Sequence, residues 1–329
     1  MTRPTVSIAM ATYNGGRFIE EQLDSFVRQT LAPDELVITD DGSDDRTLEI
    51  LERFATSAPF KVHVHRNAKR LNYSRNFERA IGLCSSDILF LSDQDDVWFP
   101  EKIATVAAQF EKNPDVSVVV NDQILTDAQL NHTGVTKLGN LERIGKNSDG
   151  LVEGCCTALR RSFAEQLFPL PDHADGLLES RSLSHDVVIN QLAILLGVRS
   201  VIRRPLQFFR RTGENATSWV LSEPRPTSRL ELLRGRLPAP PTSAWQRRAE
   251  AVEFLADWIR NHPDVPGNRE IALAALAHER RILLQRVRLA GMAPVPRAGA
   301  IWRLWRSGGY RYFGGWMSAV NDLTRTTPR

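Results

Sequence analysis

Asp93-Gln94-Asp95-Asp96 is the stretch of this chain best equipped for chemistry. It follows the apolar run Ile88 to Leu91, whose length and composition predict a short buried strand, and it precedes Val97-Trp98. Carboxylates this close repel one another and raise each other's pKa unless a cation or hydrogen-bond donors compensate. Oxygen-only ligands suit Mg2+ or Mn2+, and Mg2+ is commonly shared between one or two carboxylates and substrate phosphates. In an open parallel sheet, ligands bind just outside the carboxyl ends of the strands, which is where these residues fall. The spacing alone admits two readings: a metal–diphosphate clamp, or an acidic surface turn that caps the next helix.

The elements that must position this segment are legible upstream. Val6 to Ala11 is a first strand, followed by the turn Thr12-Tyr13-Asn14-Gly15-Gly16 and a helix over Phe18 to Gln29 that Pro33 stops. Leu36 to Thr39 is a second strand ending in Asp40-Asp41-Gly42-Ser43-Asp44-Asp45, and Thr47 to Phe54 a second helix. Val62 to Val64 is a third strand, Ser74 to Leu83 a third helix and Ile88 to Leu91 the fourth strand. Strands alternating with helices predict an α/β fold, a mostly parallel sheet with helices on both faces. Three strands end in polar clusters, Thr12-Tyr13-Asn14, Asp40-Asp41 and Asp93 to Asp96, and strand tips of this kind converge on one crevice.

Farther on, Val116 to Val120 is a strand ending in Asn121-Asp122. Leu125 to Leu151 is loop-like, rich in Asn, Gly and Thr. Glu153-Gly154-Cys155-Cys156 follows; its thiols suit packing more than redox chemistry. Ser184-His185-Asp186 opens a helix with Ser184 placed to cap it, and a carboxylate in a first turn is stabilised by the helix dipole. Val198 to Ile202 is a further strand, leading through Pro205-Leu206 to Phe208-Phe209-Arg210-Arg211-Thr212.

Composition narrows the class. A chain of 329 residues with 42% hydrophobic and 25% charged residues is an ordinary globular protein, and its net charge of +3 is too small to argue for nucleic acid. Cys84, Cys155 and Cys156 lack metal-ligand spacing and point to a reducing cytoplasm. Thr5 to Ala11 is too short for a signal-peptide core, and no apolar run approaches a membrane span. Charge is distributed unevenly: Lys146 is the last lysine, and from Arg280 to Arg329 there are ten arginines and one acid, Asp322.

The chain resembles the inverting nucleotide-sugar glycosyltransferases of family 2, with the GT-A fold, over roughly residues 5–220. The resemblance is carried by Ala11-Thr12-Tyr13-Asn14-Gly15, Val37 to Asp45, Asn72 to Phe77, and Ser92 to Trp98. The last of these is most similar to bacterial rhamnosyltransferase-like members. The resemblance implies that Thr12, Tyr13 and Asn14 hold the nucleoside, with Tyr13 as a stacking platform. Asp41, or Asp40 beside it, would accept the base N–H. Arg75 would meet the diphosphate, a task that guanidinium geometry suits. Asp93 and Gln94 would lie near the ribose, and Asp95 with Asp93 would ligate Mg2+ or Mn2+. Trp98, Gly154, Cys155, His185 and Arg210 would contact the acceptor or the donor sugar. Asp186 would be the catalytic base. Family members often carry a histidine where this chain has Thr212, which puts one metal ligand in doubt; Glu214 or a water would substitute.

The implied activity is metal-dependent, inverting sugar transfer, with L-rhamnose from dTDP-rhamnose as donor and a cell-surface glycan or lipid-linked saccharide as acceptor. The alternatives are a UDP-hexose or UDP-N-acetylhexosamine transferase and a catalytically silent nucleotide-sugar-binding subunit. A nucleotidyltransferase would need a glycine-rich phosphate loop, of which Asn14-Gly15-Gly16-Arg17 is a poor version. The domains expected are a catalytic one over 1–221, in halves meeting near residue 100, a proline-rich linker over 222–243 and a helical region over 244–329. In that region Trp245, Ala249, Val252, Leu255, Ala256 and Ile259 form one helical face, and Ile271, Ala275, Ile282 and Leu289 another. Aromatics mixed with arginine from Ile301 to Trp316 suit peripheral contact with the inner membrane from the cytoplasmic side, and nucleic acid is not an expected partner.

Overall fold

The computed structural model describes residues 3–143, 145–171, 184–212, 242–312 and 315–324. The chain divides into two compact units, residues 1–220 with 265–267 and residues 221–264 with 268–329.

The first unit begins β1 (Val6–Thr12), α1 (Ile19–Val27), β2 (Glu35–Asp40), α2 (Thr47–Ser57), β3 (Lys61–Arg66), α3 (Asn72–Leu83) and β4 (Ile88–Ser92). These four strands are parallel in the order β3-β2-β1-β4. Every residue of β2 and β4 is buried, as befits strands covered by helices on both faces. The chain continues through β5 (Val97–Trp98), α4 (Lys102–Lys112), β6 (Val118–Thr126), β7 (His132–Thr136), α5 (Lys137–Arg143), β8 (Thr157–Arg160), α6 (Arg161–Leu167), α7 (His185–Leu196) and β9 (Arg199–Arg210). The completed sheet has nine strands in the order β3-β2-β1-β4-β8-β6-β9-β5, with β7 on β6. β8 runs antiparallel between β4 and β6, so the α/β fold is mixed rather than wholly parallel. Its core gathers Phe26, Phe90 and Trp98, with the Trp98 ring 4.8 Å edge-on from Phe26.

Three expectations change. Residues 125–151 are not a plain loop: β7 and α5 lie within them, and Asp122 anchors the start of α5 by accepting the Leu138 N–H at 2.9 Å. The strand expected over 198–202 runs on to Arg210. Asn121 faces Ile202 and Asp122 faces Pro205, so Arg203 and Arg204 form a bulge that accommodates the proline. At the start of α7, Ser184 has the extended backbone of a cap, but its hydroxyl donates to the Asp186 carboxylate and caps no N–H.

The second unit is helical: α8 (Thr242–Asn261), α9 (Arg269–Ala290), α10 (Pro294–Arg306) and α11 (Trp316–Thr324). The linker expected over 222–243 lies outside the described residues as far as 241, and α8 already begins at Thr242. The α8 face is buried as expected. The α9 face is shifted by one position: Ile271 is 63% exposed, whereas Ala272, Leu276, Leu283 and Arg286 are buried together with Ile282 and Leu289. Small Ala272 and charged Arg286 hid this face, because Arg286 is buried as one half of an ion pair with Asp322.

One polar side chain ties the strand tips to the helix behind them. Asn76, 3% exposed, donates to the carbonyls of Thr12 (3.3 Å) and Thr39 (3.1 Å) and accepts from Asn67 (2.8 Å). Asn76→Ala leaves those buried partners unpaired and should cost about 2–3 kcal/mol in a denaturant titration. A loss below about 0.5 kcal/mol would show that the tips are held by packing alone.

Candidate active site

The tips of β2, β1 and β4 lie side by side, Thr12 opposite Asp40 and Met10 opposite Ser92. Their loops are stitched by side chains. Gln94 accepts from Tyr13 N and donates to Tyr13 O, both at 3.0 Å, so it clips the acidic loop to the β1 tip. A Cβ on Gly15 would stand 2.3 Å from the Gln94 amide oxygen, so a larger residue here would push the clip aside. Asn14, at φ 48°, donates its N–H to Ser43 Oγ and accepts the Asp44 N–H.

Several expected ligand groups turn out to be spoken for. Asp40 is fully buried, and its carboxylate accepts from Gly42 N, Ser43 N, Thr12 Oγ1 and Ser43 Oγ at 2.6–3.0 Å. Asp40 and Thr12 are therefore the staple of the β2 turn rather than nucleoside contacts. Asp41 accepts from Asn67 Nδ2 and from the N–H groups of Leu71 and Asn72, which fixes the entry to α3 and leaves lone-pair capacity on Oδ2. Arg75 holds Glu78 at 2.6 Å and the carbonyls of Leu170 and Pro171. Trp98, 2% exposed, is closed into the core and cannot present its face to a sugar. Arg210, 1% exposed, donates to the carbonyls of Asp95 (2.7 Å) and Ala128 (2.6 Å) and to Glu21 (2.8 Å), so it positions the acidic loop from behind.

The acidic loop itself is unevenly buried. Asp93 and Asp95 are partly exposed, but Asp96 has no exposed surface. Asp96 accepts from Arg210 N (3.1 Å) and Gln207 Nε2 (3.0 Å). Burial and the Asp95 charge push the Asp96 carboxyl up to about 7, and burial with the charges of Asp96, Asp95 and Asp186 pushes Asp93 upward as well. Donor atoms of Asp93, Asp96 and Cys155 lie within 4.8 Å of one another. The thiol is a poor partner for a hard cation, because burial holds its pKa well above the ordinary value. Asp96 has both oxygens engaged. The accessible carboxylates Asp93 and Asp95 are oxygen donors of the kind Mg2+ or Mn2+ takes, and Asp96 fixes the loop beneath them.

Asp186 faces the same ground. Ser184 Oγ and Val187 N (2.9 Å) donate to its Oδ1. A Cβ on Gly154 would lie 3.0 Å from His185 Nε2 and 3.5 Å from Asp186 Cβ, so a larger residue here would crowd the start of α7. The Gly154–Cys156 turn thus lies beside Asp186, while the Cys155 thiol lies close to Asp93 and Asp96. His185 is fully buried, its ring stacked 4.3 Å from Phe77 and edge-on to Tyr73 at 4.9 Å, and burial holds it neutral.

Three residues were not singled out from sequence. Arg70 stacks its guanidinium 4.0 Å over the Tyr13 ring. Tyr73 keeps 43% of its surface open, while desolvation and the Asp186 and Asp93 charges push its phenol upward. Lys102, 1% exposed, donates to Cys155 O (2.9 Å) and to Gln207 Oε1 and lies 3.9 Å over the Trp98 ring. Nothing in a lysine at a helix start announces burial. Its ammonium is the internal counter-charge of Asp96 and Asp93; burial lowers its pKa to about 8. Lys102→Met should destabilise the protein by about 2–4 kcal/mol in a denaturant titration, and adding Asp96→Asn should restore part of that loss. Strict additivity of the two substitutions would break the counter-charge account.

Residues 7–168, from β1 through α6, match the model described as Glycosyl transferase family 2. The dTDP-rhamnosyl transferase RfbG of Shigella flexneri is 40% identical over 98 residues, 29% of this chain and 34% of that protein. A PGL/p-HBAD biosynthesis glycosyltransferase of Mycobacterium bovis (strain BCG / Pasteur 1173P2) is 30% identical over 142 residues, 43% of this chain and 55% of that protein. The chain thus spans about a third to a half of the length of these relatives. Among solved structures, S. aureus TarS 1-349 in complex with UDP-GlcNAc has a TM-score of 0.58 at 15% identity, covering 97% of this chain and 90% of that one. The mannosyltransferase PcManGT from Pyrobaculum calidifontis, in complex with GDP-Man and Mn2+, has a TM-score of 0.51 at 17% identity, covering 98% and 86%. The fold is GT-A, the crevice is framed by the four motifs named above, and residues 7–168 form a glycosyl transferase family 2 domain.

Proposed function

We propose that this protein transfers a sugar, with inversion, from a nucleotide-diphosphate donor to a saccharide or lipid-linked saccharide acceptor at the cytoplasmic face of a membrane. The donor is dTDP-L-rhamnose, a reading supported by the Asp-Gln-Asp-Asp-Val-Trp segment and by the likeness to a dTDP-rhamnosyl transferase. The first compact unit is the catalytic domain and the helical unit an accessory one. The observation that supports the reading is the nearness of Asp186 to the acidic loop: its charge acts on Asp93, and both act on the Tyr73 phenol. The Gly154–Cys156 turn lies beside both, with the Cys155 thiol within 4.8 Å of Asp93 and Asp96 donor atoms.

Asp186 is the group placed to take a proton from the acceptor hydroxyl. Its Oδ1 is held by Ser184 and Val187, leaving Oδ2 for that proton. The acceptor oxygen bonds to the anomeric carbon as the carbon–phosphate oxygen bond on the opposite face breaks, and the nucleoside diphosphate departs with the bonding pair. Asp93 and Asp95 would hold Mg2+ or Mn2+, which would supply neutralisation of charge on the diphosphate. Tyr13, capped by Arg70, offers the nucleobase a ring face or a guanidinium plane, and Asp41 retains an acceptor for a base N–H.

The test is nucleotide release from dTDP-, UDP- and GDP-sugars with Mg2+, Mn2+ or a chelator. Release from dTDP-rhamnose that needs a divalent ion is expected. Asp186→Asn should lower kcat by about 10^2–10^4-fold at unchanged thermal midpoint. Preference for a UDP-sugar would correct the donor; turnover indifferent to both the ion and Asp186→Asn would overturn the assignment.

A further inference from the structure

We infer that the exposed faces of α10 and α11 form a docking surface for an anionic lipid bilayer. The first ground is charge. From Arg280 to Arg329 the chain has ten arginines and a single acid, Asp322. That acid is 2% exposed, holds Arg286 through both oxygens at 2.9 and 3.0 Å and accepts the Tyr310 hydroxyl at 2.9 Å. The stretch therefore shows no carboxylate to solvent, while Arg281, Arg288, Arg303 and Arg306 are exposed.

The second ground is where the apolar side chains point. On α10, Arg297, Ile301 and Leu304 face inward. Val295 (86% exposed), Trp302 (63%) and Trp305 (42%) face out. At 100° per residue these three span an arc of about 80°, with Arg306 and Arg303 on one flank. On α11, Asp322 is buried and Ala319 packs on the core, whereas Trp316 (43%), Val320 (39%) and Leu323 (49%) recur outward at i, i+4 and i+7. An outward stripe of Trp and aliphatic residues beside arginine is the pattern of a helix lying in a membrane interface, its rings at headgroup depth and its cations against lipid phosphate. No described helix is long and apolar enough to cross a membrane, so the contact is in the plane of the surface.

Other occupants fit less well. Nucleic acid would use the arginines but has no partner for Val295, Val320 and Leu323. A second copy meeting this one through the same face would set Arg303 and Arg306 against their own equivalents. The inference deepens the membrane-side acceptor proposed above, on which it rests for its purpose, but it is read by binding rather than turnover.

The test is flotation of the full chain with vesicles of phosphatidylcholine alone or with about one-third phosphatidylglycerol. Wild type should float with the anionic vesicles, release as salt approaches about 1 M, and ignore the neutral ones. Trp302→Ser with Trp305→Ser, or Arg303→Gln with Arg306→Gln, should each cut partitioning about tenfold or more at unchanged thermal midpoint. Equal flotation with neutral vesicles, no flotation, or variants that bind like wild type would overturn the inference. So would light scattering that shows a dimer lost in the Trp variants without any lipid binding. Lost flotation with nucleotide release intact removes the surface and leaves the transferase, and the converse removes only the transferase.

Discussion

Negative charge held out of water at the carboxyl edge of the sheet is the constraint around which the first unit is built. A buried carboxylate costs several kcal/mol unless donors and a cation surround it. Asp96 has no exposed surface, and its compensation comes from separate elements: the Arg210 N–H and the Gln207 amide on β9, and the Lys102 ammonium at the start of α4. That requirement explains why β9 runs on through the bulge at Arg203 and Arg204 instead of stopping at Ile202. Only the extended strand brings Gln207 and Arg210 level with the acidic loop, and it also pairs with β5 just beyond that loop. With Asp96 fixed from beneath, Asp93 and Asp95 are carried on a fixed turn, which suits the diphosphate site proposed there.

The motif residues divide into those that frame and those that reach. Thr12, Asn14, Asp40, Gln94, Trp98 and Arg210 spend their hydrogen-bonding or packing capacity on the loops themselves. Tyr13, Tyr73, Asp93, Asp95 and Asp186 keep surface toward the crevice. A sequence motif does not separate the two groups, because a loop of fixed shape needs its staples as much as its ligands. Reading each motif residue as a contact therefore overstates the number of groups that touch substrate and understates the frame.

The same logic marks where the sequence was legible. β1, β2 and β4 were readable as apolar runs broken by polar turns, β3 by the alternation of Val62 and Val64, and their helices by periodicity, signals that depend on neighbours in the chain. The crossing of three tips followed from the parallel order. β7 and α5 were not readable: His132 to Thr136 has no apolar alternation, and α5 is anchored by Asp122 from another strand. The buried face of α9 was misplaced by one residue because Arg286 enters the core only as the partner of Asp322, 36 residues away. Lys102 escaped notice for the same reason. Its partners are Cys155 and Gln207, and burial of a cation is a property of the tertiary partner, not of the helix that carries it.

Both units bury charges of both signs, Asp96 with Lys102 and Asp322 with Arg286, and what is left outside sets the charge of one surface in each. In the first, Lys102 and Arg210 are inside, so the carboxylates of Asp93 and Asp95 set the character of the crevice. In the second, the single acid of the last fifty residues is inside, so arginine sets the character of α10 and α11. An interior ion pair is weak evidence for stability, since a well-packed apolar pair can do as well. Its effect on the outside is firmer: sequestering one partner fixes the sign of the field that the remaining charges project. A negative crevice suits the proposed cation-bearing donor, and an arginine-rich helix face with tryptophan beside it suits the proposed lipid surface. Lys102 and Asp322 shape those two surfaces from inside, without reaching either.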